Sequence, residues 1–136
     1  MLNEVKNREF IDIYRDYMEE KKLGPREIKK HLSCVSAYVV FFLGHQLDKP
    51  MKDGVRYEEL NSYFGNYFIR KHSWSSPEAI VVCLYCLEKF YRLMLEKGFI
   101  SEEEFEEYNH NVADSRDYWI EICKSIRSGS MKDFFA

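Results

Sequence analysis

Two stretches hold residue types and spacings that could do chemistry. Cys83 and Cys86 form a C-x-x-C pair, and His31 and Cys34 form "HLSC" further upstream. Thiol–disulfide chemistry places its first cysteine exposed at a helix N-terminus, where the thiolate is favoured. Zinc needs four ligands in a tetrahedron. Cys83 and Cys86 instead sit inside the apolar run Ile80 to Leu87, and no second C-x-x-C or H-x-x-H accompanies them. Joining them to His31 and Cys34 would require two helices to face one another in one register. The expectation is reduced, unliganded core cysteine with no metal and no cofactor. The four histidines (His31, His45, His72, His110) are dispersed and match no triad, no H-E-x-x-H and no phosphate loop. "SEEEFEE" lacks the alternation of a calcium loop. No catalytic residue is expected, and the chain does not read as an enzyme.

A basic stretch has more functional pull. "KKLGPREIKKH", Lys21 to His31, carries five Lys/Arg against one Glu. Arg26, Lys29 and Lys30 point away from the Ile28/Leu32 stripe, at the start of a helix, where cations oppose the macrodipole. A helix N-terminus with Lys/Arg suits phosphate; the alternative is a merely solvated face. A second group, Arg70, Lys71 and His72, lies at a helix C-terminus, where cations stabilise the helix.

These side chains must be positioned by helices. Phe10, Ile13, Tyr14, Tyr17 and Met18 repeat with helical spacing, predicting a helix over 3–22 that Gly24 breaks. Pro25 suits the first turn of the next, over 25–47, with Ile28, Leu32, Val35, Val39, Phe42 and Leu43 as its stripe. Along it Ser33, Ala37, Val40 and Gly44 form a small-residue strip that favours close helix packing. "DKPMKDG", 48–54, reads as a loop. A third helix is expected over 57–71, with Leu60, Phe64, Tyr67 and Phe68 inward. Ser75 or Ser76 caps the next helix, Pro77 opens it and Gly98 stops it. Because its first half is apolar all round, it is expected to be the central, most buried helix. Ser101 and Glu104 form a capping-box pattern. The helix they start either ends near Asn111 or continues, and Asp114 can cap a last helix lined by Trp119, Ile122, Cys123 and Ile126. "SGSMKDFFA" reads as a tail.

The totals agree with a helical class. Of 136 residues, 46% are apolar and 32% charged, with six Gly and three Pro. That is one domain with a proper core, neither membrane-spanning nor disordered. The N-terminus shows no signal-peptide pattern and the cysteines no disulfide framework, so a cytoplasmic setting is expected. The net charge of −3 is uneven: residues 1–100 carry 16 Lys/Arg and 14 Asp/Glu, residues 101–136 carry 4 and 9. An anionic partner therefore suits only the first three quarters.

The order of helices in "FIDIYRDYMEEKKLGPREIKKHLSCVSAYVVFFL", "RYEELNSYFGNYF" and "SPEAIVVCLYCLEKFYRLMLEKGFI" resembles the core-binding, SAM-like N-terminal domain of tyrosine recombinases and phage integrases. The resemblance covers about residues 8–100, a pattern of helix lengths and apolar positions. It implies an all-α, compact bundle of about five or six helices in the SAM-like arrangement; the acidic segment over 101–127, expected to be helical from its caps and apolar spacing, departs from that family's pattern, and 128–136 reads as a tail. It implies a non-catalytic module of DNA recombination proteins that binds duplex DNA, through Arg26, Lys29, Lys30 and Ser33 of the second helix and Lys89 and Arg92 of the fourth. The Arg/His/Tyr catalytic domain of that family has no counterpart here, so no strand cleavage is implied. The alternative is a protein–protein interaction module, homodimeric or with another chain, without nucleic acid. No membrane partner and no small-molecule substrate are expected.

Overall fold

A computed structural model describes residues 2–127, in which every element is helical and no strand occurs. The tail over 128–136 lies outside the described residues. Helix α1 is Leu2–Glu20, and its buried stripe is Asn7, Ile11, Tyr14 and Met18, a 3.6-residue repeat. It ends two residues earlier than the sequence suggests. The turn is made by Lys22, in the left-handed region at φ 58°, with Leu23 N–H donating to Met18 O at 3.2 Å. Gly24 has an ordinary extended backbone and serves instead as the residue before α2.

Helix α2 starts as Pro25–Ser36 and continues through Ala37–Gln46 with wider, π-type turns, closed by Leu47 N–H to Phe42 O at 3.0 Å. Its second half packs on α1 and its first half on α4. The small-residue strip is used only at one end. At Gly44 the α1 backbone at Glu4 comes so close that a Cβ would collide with it, while Ser33 stays exposed. The stretch read as a polar loop is in part interior. Met51–Val55 forms a 3₁₀ turn with Met51, Gly54 and Val55 buried. Tyr38 Oη donates to Gly54 O at 2.7 Å and Tyr91 Oη to Met51 O at 2.8 Å. Burial pushes both phenols well above their usual range, so both remain neutral donors.

Helix α3 runs as Tyr57–Ser62, a π-type stretch Tyr63–Tyr67 and a last turn Phe68–Lys71. Leu60, Phe64 and Phe68 are buried as expected, and Tyr67 is half-buried. Helix α4, Pro77–Glu96, is capped by the Ser76 hydroxyl, which accepts from Ala79 N–H at 3.0 Å. Gly98, at φ 80°, ends it. It lies between α2 and the last helix and is the centre of the core. It is not buried all round, however. Val81, Val82 and Tyr85 are 42%, 37% and 54% exposed, because only the faces toward α2 and α5 are covered.

Helix α5 is one rod, Glu102–Arg127. The Ser101/Glu104 capping box forms, at 2.8 and 3.1 Å. No glycine or proline interrupts the following residues, and Asp114 is no cap. It lies mid-helix and pairs with His110 at 3.0 Å. Phe105, Tyr108, Trp119 and Cys123 bury one face against α4 and α3. Trp119 Nε1 donates to Asn61 Oδ1 at 2.9 Å. Arg127 in the last turn donates to Ile69 O and His72 O at 3.0 and 3.1 Å, and also to the Ser75 hydroxyl. The acidic segment is thus integral to the fold.

Candidate nucleic-acid interface

The buried face of α2 is set by Cys34 and Val35, with Ile28 half-buried beside them, so Arg26, Lys29, Lys30 and Ser33 are left on the outer side, all exposed. Among the described residues Arg26 and Lys29 form no ion pair. Lys30 lies 3.1 Å from Glu27 one turn back. On α4, packing of Cys86 and Phe90 leaves Tyr85, Lys89 and Arg92 outward. Lys89 Nζ sits 5.3 Å over the Tyr85 ring, and Arg92 is held by Glu88 and stacks over Phe105 at 5.3 Å.

The two sets meet along one junction. The His31 ring of α2 lies 6.1 Å from the Tyr85 ring of α4. Burial and then Lys30, with Lys89 adding from the other helix, hold the His31 imidazole below its usual range. The sets meet only through Lys30 and Lys89, which both act on His31, with Arg92 lining the same space. Lys29 and Ser33 turn to the other side of α2, beside Arg15 and Glu19 of α1, and Arg26 is exposed in its first turn. α5 packs on α4, α3 and the 3₁₀ turn rather than along α2, so its carboxylates do not cover Arg26 or Lys29.

The cysteine register that seemed demanding is present. Cys34 meets both Cys83 and Cys86 between α2 and α4, and this contact together with burial pushes the Cys83 and Cys86 thiols up. All three are buried and free, and no group of three or more ligating side chains among the described residues could hold a metal ion. The second basic group is accounted for structurally. His72 bonds the Tyr63 hydroxyl at 3.0 Å and stacks on Trp74 at 4.6 Å, and Arg70 Nε donates to Asn66 Oδ1 at 2.9 Å.

Sequence reasoning missed Tyr85 because the run around it is apolar, and Lys21 because it falls at the end of α1. Both line the space between α1, the start of α2 and α4. The chain matches no protein-family model, no curated protein and no solved structure. No described helix is long and apolar enough to cross a membrane.

Proposed function

We propose that this chain is a non-enzymatic helical module that binds duplex DNA through the crest formed by α2 and α4. The observation carrying the reading is that Lys30 of α2 and Lys89 of α4 flank the same His31 junction, on two helices that sequence alone only listed separately, while Arg26 and Lys29 of α2 and Arg92 of α4 are exposed. Cations at the start of α2 cost helix stability through the macrodipole, up to about 1 kcal/mol each, and phosphate contact offsets that cost. The five-helix order supports the SAM-like, integrase-type arrangement, in which the second and fourth helices face DNA. In this reading the acidic α5 holds the bundle together and leaves the crest free. Fluorescence anisotropy with a labelled duplex at low salt tests it: saturable binding that falls as salt rises is expected, and no binding even at low salt rejects it.

A second reading has its own observation. Val81, Val82 and Tyr85 make an exposed apolar stripe on α4, and Phe41 and Trp74 are also exposed, at 49% and 48%. Such a surface suits a protein partner, including a second copy. Sedimentation showing a dimer together with absent DNA binding would favour this reading.

A further inference from the structure

Where α1, the start of α2 and α4 meet, they enclose a cavity of about 300 Å³. Its floor is buried: Tyr14, Met18, His31 and Leu93. His31 is the unusual member. Its Nδ1 is tied to the Tyr14 hydroxyl at 2.7 Å, while the nearest group to its Nε2 is a Glu27 oxygen at 3.8 Å, beyond hydrogen-bond reach. Burial pushes the Tyr14 phenol up, so it stays neutral. With the Glu27 carboxylate on the Nε2 side, the tautomer that fits places the ring proton on Nε2 and has Tyr14 Oη–H donating to Nδ1. Nε2–H then has no protein acceptor within hydrogen-bond distance, and the ring lines the cavity.

The rim supplies the rest. Lys21, Lys89 and Arg92 face the cavity with Glu27 and Glu96, an excess of one positive charge. Lys21 forms no ion pair among the described residues and sits 5.6 Å over the Tyr17 ring. Tyr17, Tyr85 and Leu23 supply flat apolar walls.

We propose that this cavity binds a small organic monoanion, a carboxylate on a flat apolar body. The carboxylate accepts from His31 Nε2–H and is countered by Lys21 and Lys89, and the body lies against Tyr17, Leu23 and Tyr85. A free phosphate dianion fits less well, because the excess is a single charge and the walls are apolar. The site shares Lys89 and Arg92 with the crest, but His31 and Lys21 are not among the residues proposed to meet DNA, so a substitution at Lys21 tests it apart from DNA binding.

The test is NMR titration of the ¹⁵N-labelled protein with indole-3-acetate, with tryptamine (the same ring bearing a cation) and with inorganic phosphate. Indole-3-acetate is expected to move the Lys21, Leu23 and Tyr85 amides and the His31 Nε2–H saturably, with a Kd of about 1 mM or below. Tryptamine is expected to leave them unmoved, and phosphate to bind more weakly. The exposed substitution Lys21→Gln should weaken indole-3-acetate by about threefold or more while leaving duplex DNA binding unchanged. Absence of saturable shifts with indole-3-acetate, equal binding of tryptamine, or equal binding of phosphate alone would each overturn the proposal.

Discussion

Asn7 fastens three buried backbone groups at once. Its amide donates to Val39 O and Lys49 O at 2.9 and 3.1 Å, and its Oδ1 accepts from Met51 N–H at 3.0 Å. Asn7→Ala removes all three bonds, and a loss of about 3 kcal/mol is expected in urea unfolding; a loss below about 1 kcal/mol would show that the groups are satisfied by other partners. Histidine gives the pH dependence. Burial is the main cause depressing His31 and the only one depressing His72, against an ordinary value of 6.5. The folded state therefore binds fewer protons than the unfolded chain below that value. Stability is full above about pH 6.5 and is lost as the pH falls through the depressed folded values. The urea midpoint should be lower at about pH 5 than at about pH 7.5, and His31→Asn with His72→Asn should flatten the difference; an equal or higher midpoint at the acid pH contradicts this. Nothing in the sequence marked Asn7, because a polar residue near an N-terminus reads as surface. The Tyr14–His31 bond was equally hidden, since it joins two helices.

At the scale of elements, caps and apolar periodicity carried most of the fold. Ser76, Gly98 and the Ser101/Glu104 box act as their types suggest. What failed did so for tertiary reasons. An all-round apolar segment cannot say which face its neighbours will leave open, so Val81, Val82 and Tyr85 were misplaced. Asp114 resembles a cap, but a buried face from Phe105 to Cys123 carries the helix straight past it. Two substitutions separate these cases. Ser101→Ala should cost about 1 kcal/mol, whereas Asp114→Ala should cost less than about 0.5 kcal/mol, since only an exposed pair with His110 is lost. Equal costs would mean that the helix restarts at Asp114. Amide exchange should likewise be slow without a break from Phe105 to Cys123, and a fast-exchanging gap around Ala113 would contradict a single rod.

For the whole molecule, the packing of α2 against α4 does two things. It brings Cys34 onto Cys83 and Cys86 in the core, and it brings Lys30 and Lys89 to one junction at the surface. The basic start of α2 was legible from "KKLGPREIKKH"; its meeting with Lys89 was not, because it depends on the helix register. The structure also refines which cations matter most. Lys30 is engaged with Glu27 and Arg92 with Glu88, while Lys29 is unpaired and Lys89 is only 4.0 Å from Glu88 at its closest. Replacing Lys29 and Lys89 together with Ala removes one contact from each helix and leaves the core untouched. The most direct measurement is therefore the dependence of duplex-DNA affinity on salt for the parent and for this double substitution. A crest spanning both helices should lose about two contacts' worth of slope, roughly 1.8 in log K against log salt, with unfolding stability unchanged or slightly raised. An identical slope in parent and variant, or a parent that does not bind duplex DNA at all, would contradict it.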